Sequence, residues 1–336
     1  MPAGVVTAVG SGAGRRLGCR AAATGPRWLR GAAIALAAAT LCACASTPMV
    51  VPEPPGLPDG IYSADGRALT LEQAVAEWES IPGDGPLVVY VSETHDNVAH
   101  HQVQAEILLA LMRRFPARCA LGMEMFPRPL QPLLDEFSAG GISAAELKER
   151  SDWDEIWGFD FSMYAPLLEL VQLQGSALLA LNAPKALTRK LAKVGPAGLS
   201  EEERDALPST IDLPSDEHRA MIADVLRSVH EMDDATFERF YAAQRAWDST
   251  MAQSVAEFLA RGSDVRALVV IAGGYHIYGG LGIPRHVDAA VGHPVRRVIV
   301  IPVDTAERRF GPEDFQGADA GDYYVLSRGP TGGSHP

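Results

Sequence analysis

The chain has 336 residues, long enough for one large α/β domain or two small ones, and 47% of them are hydrophobic. Its 42 acidic residues outnumber the 29 basic ones, which gives a formal net charge of −13. Nucleic-acid binding needs basic patches on the protein surface, and the sequence has no basic stripe. The composition therefore predicts no nucleic-acid partner.

The first 43 residues have the order of an export signal. A basic region without acidic residues precedes the uncharged run GAAIALAAATLCA at 31–43. That run is too short to span a bilayer as a helix but has the length of a signal-peptide core. It ends in Leu41-Cys42-Ala43-Cys44, which resembles the lipobox of bacterial lipoproteins. The resemblance implies cleavage before Cys44 and lipidation of Cys44, and Ala45 implies sorting to the outer membrane.

A tether, one domain and a tail follow the predicted signal peptide. Residues 44–60 hold the lipidated cysteine and five prolines, which predict a semi-extended tether without helix or sheet. An ordered domain is predicted over 61–328, and a disordered tail over 329–336. If Cys44 is acylated, Cys119 has no disulfide partner and is expected to be a small buried hydrophobe.

Apolar strands alternate with amphipathic helices along the domain. Strands are predicted at 86–91, 119–125, 177–181, 267–272, 295–304 and 322–327. Helices are predicted at 70–79, 98–115, 129–138, 143–150, 164–174 and 235–260, with polar helices between 185 and 230. This alternation predicts an α/β fold, in which a mostly parallel β-sheet is flanked by helices on both faces. The ligand cleft is expected at the carboxyl ends of the strands.

Two stretches share one pattern, LVVYVSETH at 87–95 and LVVIAGGYH at 268–276. In each, an apolar run is followed by three small or polar residues and then a histidine. Runs rich in valine predict buried parallel strands, and ligands bind beyond the carboxyl ends of such strands. The equal offsets predict that His95 and His276 stand at one height above the sheet, where they could hold a metal or an iron cofactor.

Two carboxylates join these histidines at predicted strand ends. Glu93 follows the first strand, and Glu124 lies within the second, in ALGMEMF. Charged groups flanked by so much apolar sequence are costly to bury unless they are paired or bind a cation. Imidazole with carboxylate is a ligand set for zinc or iron, and also a water-activating acid/base pair. The plainer alternatives are hydrogen-bonded loop histidines and a glutamate that faces solvent.

Further candidates lie beside the first histidine and in an aromatic segment. His100 and His101 begin the next predicted helix, where they either line the cleft or lie at the surface. The segment WDEIWGFDFSMYAP at 153–166 is either a flat apolar wall for a planar ligand, with Tyr164 as an iron ligand, or plain core packing. Asn182 is either a further polar group at a strand end or an ordinary turn former.

Taken together, these motifs resemble the ChaN family of haem-binding lipoproteins, in the haem-binding uptake/Tiki superfamily, which is related to TraB and erythromycin-esterase-like proteins. The resemblance covers roughly 84–290. The matching pieces are Ser92-Glu93-Thr94-His95-Asp96-Asn97, His100-His101, Glu124-Met125-Phe126, Asn182-Ala183-Pro184, Gln244, Asp248, Met251, Ala252 and Gly273-Gly274-Tyr275-His276. The family pattern has glycine in place of Ser92, and a serine there would be strained if the backbone needed a positive φ.

The resemblance implies an outer-membrane lipoprotein that binds haem for iron uptake and is attached to the membrane by its lipid. The resemblance leaves open whether the protein forms a homodimer. The implied haem contacts are His95, His100, Tyr164, Tyr275 and His276, with Tyr278 also eligible as the axial ligand.

The wider superfamily supports a rival interpretation, a metal-dependent hydrolase of the Tiki or erythromycin-esterase-like type. In it, zinc, manganese or iron is held by His95 and His276, with Glu93 and Glu124 in the same metal set. Either Glu93 or Glu124 would be the general base that works on a metal-bound water. A third interpretation is a lipoprotein scaffold without a ligand, in which the histidines and glutamates at the strand ends are replaceable.

Overall fold

The computed structural model describes residues 60–208, 213, 215–229, 232–262, 264–305 and 320–327. The predicted signal peptide, Cys44, nearly all of the predicted tether and the predicted tail lie outside these residues, so those expectations stay predictions. Within the described residues, no helix is long and apolar enough to cross a membrane.

An eight-stranded sheet organises the described part of the chain. Its strands are β1 (Gly60–Ser63), β2 (Ala68–Leu69), β3 (Leu87–Glu93), β4 (Cys119–Pro127), β5 (Ala177–Asn182), β6 (Ala267–Gly273), β7 (Arg297–Asp304) and β8 (Tyr323–Ser327). They stand in the order β2-β1-β8-β7-β3-β6-β4-β5. The pairs among β3 to β8 are parallel, and only β1 and β2 run antiparallel to their neighbours.

Twelve α-helices connect the strands in the described residues. They are α1 (Leu71–Glu79), α2 (Val98–Arg114), α3 (Gln131–Ser138), α4 (Ala144–Arg150), α5 (Trp153–Ile156), α6 (Phe161–Gln174), α7 (Lys185–Val194), α8 (Glu201–Asp205), α9 (Asp216–Val229), α10 (Asp234–Ala260), α11 (Gly274–Ile277) and α12 (Ile283–Val291). Short 3₁₀ turns lie at Arg128–Leu130, Pro196–Gly198 and Tyr278–Gly280.

Each face of the sheet packs against its own set of helices. Val89 and Leu121 belong to a core shared with α1, α2, α3 and α6. Val88 and Val270 point to the opposite face, where they pack with apolar residues of α10 and α12. Strand residues alternate between the two faces, so both faces of these apolar strands are buried. The predicted fold class, a mostly parallel sheet with helices on both faces, is confirmed.

The two matched stretches do not pair in the register that their sequences predict. Equal offsets would place Leu87 beside Leu268, but the parallel ladder pairs Leu87 with Ala267 and Val88 with Leu268. His95 therefore lies in the turn after β3, whereas His276 lies one turn into α11. The expectation that His95 and His276 stand at one height above the sheet is wrong. The register of β3 and β6 follows the burial of alternate side chains rather than the alignment of the two motifs.

The serine in the first motif is not strained. Ser92 lies in β3, and the only non-glycine residues with positive φ in the described part of the chain are Ala117 and Asp152. The predicted long helix also ends as expected, because Gly262 follows it with φ +66°, a conformation that glycine adopts without steric cost. Strands β1 and β2 and helices α5, α11 and α12 were not predicted as elements. The first four have four residues or fewer, and α12 has a proline as its second residue and directly follows a glycine-rich segment.

Candidate functional site

The candidate site lies at the carboxyl ends of three neighbouring strands, β3, β6 and β4. His95 follows β3, Glu124 lies near the end of β4, and Gly273 ends β6. A Cβ on Gly273 would lie 2.9 Å from His95 Cε1 and 3.6 Å from Glu124 Oε2, so a larger residue would push into the imidazole. Gly273 thus permits His95 to approach the backbone closely beside Glu124.

Glu93 is a buried carboxylate held on the α2 and α6 side of the sheet. Its Oε1 lies 2.8 Å from His95 Nδ1 and accepts a hydrogen bond from the Tyr164 hydroxyl at 2.8 Å. Its Oε2 accepts from Gln104 Nε2 at 2.9 Å and lies 3.5 Å from His101 Nδ1. Burial alone would raise the pKa of this carboxyl, but the hydrogen bond and charge of His95 and the other donors keep the pKa below its ordinary value.

His95 is the accessible histidine of the site. Its side chain is 27% exposed, and its ring packs against Trp157 and Phe159, with centroid distances of 4.7 and 5.1 Å. Burial opposes protonation of His95, but Glu93 and Glu124 raise its pKa overall. Glu93 engages Nδ1 of His95. The other ring nitrogen, Nε2, lies toward Gly273 and Glu124 and is the one available to a ligand.

His276 is enclosed between two carboxylates. Its Nδ1 lies 2.6 Å from Asp248 Oδ1, and its Nε2 lies 3.3 Å from Glu124 Oε1. Burial opposes the positive charge, but Glu124 and Asp248 together raise the pKa of His276 to about 10. The same pairing outweighs burial at Glu124 and lowers its pKa to about 2, helped by the backbone N–H of Gly273, which donates to Oε2 at 2.7 Å. The two carboxylates therefore favour the imidazolium form of His276 at neutral pH.

His100 and His101 hold the turn that carries His95. The backbone N–H of Thr94 donates to His100 Nδ1 at 2.9 Å, and His101 Nε2 lies 3.1 Å from the carbonyl oxygen of His95. Both imidazoles are buried, and burial lowers the pKa of His100 to about 4. The alternative that these two residues lie at the surface is wrong, because their ring nitrogens complete hydrogen bonds of the turn.

The aromatic segment divides between core and cleft. Trp153 and Tyr164 are fully buried, whereas Trp157 and Phe159 are half-buried and border His95. Trp157 Nε1 donates to the Tyr164 hydroxyl at 3.1 Å, and that hydroxyl in turn donates to Glu93. In this geometry Tyr164 supports the carboxylate beneath His95, and its hydroxyl is buried away from the cleft.

The other two tyrosines differ in exposure. Tyr278 is buried, and burial raises its pKa. Tyr275 is half-buried, packs edge-on against Tyr278 at 6.1 Å, and burial raises its pKa to about 12. Tyr275 is therefore the most accessible of the predicted tyrosine ligands.

The four predicted metal ligands do not converge on one point. Glu93 lies on the α2 side of the sheet, while Glu124 is engaged with His276. Within the described ranges, no group of three or more histidine, cysteine, aspartate or glutamate side chains is placed to hold a metal ion. The divalent-metal alternative has no support, because the imidazole nitrogens of His276 both face carboxylates rather than a common centre.

Asn182 has the plainer of its two predicted roles, and Cys119 is buried as predicted. The Asn182 side chain accepts a hydrogen bond from the Ala183 backbone at 2.8 Å, as in an ordinary turn. Cys119 is buried and free, and burial raises the pKa of its thiol to about 12.

Four residues of the site were not identified from chemistry in the sequence, and one of them is Asp248, which appeared only in the family resemblance. Gln104 donates to Glu93, Gln244 Nε2 lies 2.8 Å from His276 Nδ1, and Trp247 packs edge-on to His276 at 6.2 Å. Gln104 had a signal, because it is a polar residue on the apolar face of α2. Gln244 appeared only in the family resemblance, and nothing local distinguishes Trp247 from a core residue.

The arrangement defines a class of protein, an α/β domain with a cluster of histidines and buried carboxylates at the ends of its central strands. The family model described as "Haem-binding uptake, Tiki superfamily, ChaN" matches residues 85–287, more than half of the chain. The chain belongs to this family, which confirms the resemblance predicted from its motifs.

One solved structure agrees on the fold, and a second is a weaker match. The structure titled "Cofacial heme binding to ChaN of Campylobacter jejuni" has a TM-score of 0.60 at 19% identity, and the match covers 80% of this chain and 96% of that one. A mutant of erythromycin esterase EreC in its open conformation matches with a TM-score of 0.40 at 11% identity, covering 68% of this chain and 72% of that one. No curated protein sequence is similar enough to count as a relative.

Proposed function

We propose that this protein binds haem at the cleft beside His95 and takes part in haem or iron uptake. The observation that carries the proposal is the family match over residues 85–287, a range that includes Glu93, His95, Glu124, Asp248 and His276. The fold similarity to ChaN of Campylobacter jejuni, whose title reports cofacial haem binding, supports the same proposal.

The residues around the cleft fit a flat aromatic ligand. Trp157 and Phe159 border His95, and Trp247 packs against His276. Rings of this kind provide apolar surface for a planar macrocycle. Bound haem would supply an iron atom that a protein side chain would hold. We assign that role to Tyr275 or His95, since Tyr164 and His276 are engaged by buried carboxylates.

Haemin titration of the purified protein tests the proposal. The expected result is a saturable shift of the Soret band. Tyr323→Phe is a matched control, because Tyr323 lies on β8 with its hydroxyl on Glu77, near the opposite edge of the sheet. The control should bind as the parent does. A flat titration of the parent protein would remove haem binding as the function.

We also propose that the mature protein is an outer-membrane lipoprotein, acylated at Cys44 and held off the membrane by residues 45–60. Fully extended, this tether would reach roughly 50 Å at about 3.1 Å per residue. The basic and apolar segments before Cys44 and the small residues around it support the proposal. A haem cleft on such a protein would face the periplasm or the outside of the cell, where iron is taken up.

Cell fractionation of two cysteine variants tests the anchor. Cys44→Ser should move the protein from the membrane fraction to the soluble fraction, because it removes the acylated sulfur. Cys42→Ser, two residues earlier, should leave the protein in the membrane. Retention of Cys44→Ser in the membrane would overturn the anchor while leaving haem binding to be decided by titration.

One observation supports a hydrolase as a second candidate, although without a metal. His95 Nδ1 is oriented by Glu93 at 2.8 Å, and the ring is partly exposed, which is the arrangement of a general base and its positioning carboxylate. Glu124 is a poor base, because its pKa is lowered to about 2. Hydrolysis of a panel of nitrophenyl esters, with His95→Gln as the control, would test this candidate; equal rates for both proteins would remove it.

A further inference from the structure

Strand β5 is one of the two edges of the sheet in the described part of the chain. The other edge, β2, has two residues and is too short to pair with a further strand. The six residues of β5, Ala177–Asn182, are mostly apolar, carry no charge and include no proline. An edge of this kind is a template for pairing with a strand of another molecule.

The side chain of Gln131 lies where a further strand would pair with β5. Gln131 is the first residue of α3, and its Nε2 donates to the carbonyl oxygen of Leu178 at 2.8 Å. Its Oε1 accepts a hydrogen bond from the backbone N–H of Ala180, also at 2.8 Å. In a parallel sheet, a residue of the neighbouring strand bonds in the same way to the C=O of one residue and the N–H two residues on. The Gln131 amide therefore takes the place of one residue of an additional strand.

Neighbouring polar groups hold this amide and cover the edge. Gln131 Nε2 also donates to Asp135 Oδ1 at 2.8 Å, and a carboxylate can only accept, so this bond fixes the orientation of the amide. Arg128, just before α3, bonds to both carboxylate oxygens of Glu257 on α10, at 2.9 and 3.0 Å. A cavity of about 160 Å³ borders these side chains and residues 177–180. The edge of β5 is thus covered by polar side chains instead of another strand.

We propose that Gln131 closes the edge of β5 against pairing with the β5 of a second copy of this chain. Two copies related by a twofold axis could place their β5 edges side by side and antiparallel, because such an axis brings a surface together with itself. With Gln131 in place, the Leu178 C=O and the Ala180 N–H are already bonded, so a second strand would have to displace the amide. The β5 edge is thereby an interaction surface that the folded protein keeps closed.

A pair of matched glutamine variants tests this inference, which is independent of haem binding. Gln131→Met keeps the length of the side chain but removes the amide that bonds to β5. The control is Gln172→Met. Gln172 is half-buried, as Gln131 is, and its Nε2 donates to two backbone oxygens, those of Phe137 and Ile142, which lie outside the sheet. Light scattering of the purified proteins over a range of concentrations measures their mass, and hydrogen exchange measures the protection of the β5 backbone.

We expect the mass of Gln131→Met to rise with concentration to about twice that of the parent protein, because pairing between like edges closes at two copies. The Ala180 N–H should exchange faster than in the parent when this variant is dilute, and should be protected again when it is concentrated. Gln172→Met should keep the mass of the parent at every concentration.

Two results would overturn the proposal. One is a mass of Gln131→Met that stays at the parent value at every concentration. The other is equal association of Gln131→Met and Gln172→Met, because the effect would then come from loosened packing rather than from an open edge. Failure of haemin to bind would bear only on the proposed function.

Discussion

The two histidines of the matched motifs have opposite environments. His95 is 27% exposed and interacts directly with one carboxylate, Glu93, whereas the side chain of His276 is 10% exposed and lies between Glu124 and Asp248. Both follow parallel strands that are neighbours in the sheet. Residues that look equivalent in the sequence therefore differ in the tertiary structure.

The two environments imply different roles. His95 is open to a ligand, whereas His276 compensates the charge of buried carboxylates. A buried ion pair gives little net stability over an apolar replacement, but removal of one partner leaves an uncompensated buried charge. His276 compensates two carboxylates at once, so its replacement should be costly. His95 keeps one nitrogen toward the cleft, so its replacement should affect ligands more than folding.

The largest expected effect is that of His276→Gln on stability. The variant leaves Glu124 and Asp248 as buried carboxylates without their cation, and we expect the free energy of unfolding to fall by about 3–5 kcal/mol. Urea unfolding measures this. The matched variant is His95→Gln, which should cost about 1 kcal/mol or less, because the His95 side chain is 27% exposed and the glutamine amide can still donate to Glu93. Equal losses in the two variants would contradict the comparison.

The pH dependence of stability should show the same asymmetry. The pKa of His276 is about 10 in the folded protein and near 6.5 in the unfolded chain. Its contribution is therefore fully present below about pH 6.5 and is lost progressively as the pH rises to about 10. Denaturant midpoints between pH 6 and 10 measure this loss. His276→Gln should remove most of the dependence in that range; a parent protein with a flat profile would show that His276 is not ionised.

At low pH, the expected change in stability comes from Glu124. Its pKa falls from its ordinary 4.5 to about 2 on folding. Its contribution is present above about pH 4.5 and is lost as the pH falls toward 2. Glu124→Gln should flatten this part of the profile and leave the alkaline part dependent on Asp248 alone.

Variants of Tyr275 and Tyr164 separate effects on haem binding from effects on stability. Tyr275→Phe should weaken haem binding about tenfold, equivalent to about 1.4 kcal/mol, because it removes an accessible iron ligand. Tyr164→Phe should leave haem affinity near the parent value but lower the free energy of unfolding by about 1.5–3 kcal/mol, since it removes a donor to Glu93. Haemin titration and urea unfolding of both variants measure these effects. Loss of binding in His95→Gln but not in Tyr275→Phe would assign the iron contact to His95.

The smallest expected effect concerns the residue at which this chain departs from its family pattern. Ser92 has an extended backbone in β3, so glycine has no strain to relieve. Ser92→Gly should therefore lower the free energy of unfolding by about 0.5–1 kcal/mol through the larger freedom of the unfolded chain. A stabilised Ser92→Gly variant would mean that the position does favour a glycine conformation. Urea midpoints of the two proteins decide this.

Sequence patterns alone determined the fold class, most of the strands and long helices, and the family. Apolar runs such as Leu87–Glu93 predict buried strands because their period and composition are local properties of the chain. The N-terminal Thr70 capping box of α1 and the glycine after α10 are likewise local signals, and the structure has both. The sequence also predicted that His95, Glu124 and His276 lie at the carboxyl ends of parallel strands, although the strand order that brings them together comes from the structure.

Only the tertiary structure decided which nitrogen of each histidine is engaged and by what. Tyr164 reaches Glu93 across 71 residues of sequence, and Gly273 reaches Glu124 across 149. Asp248 and His276 lie on separate helices, and no local pattern shows that their side chains meet. The one-residue shift between the motifs is also a tertiary result, because register follows the burial of alternating side chains over the whole sheet. Charge states depend on these long-range contacts, so the enclosed imidazolium and the accessible imidazole could not be told apart from sequence.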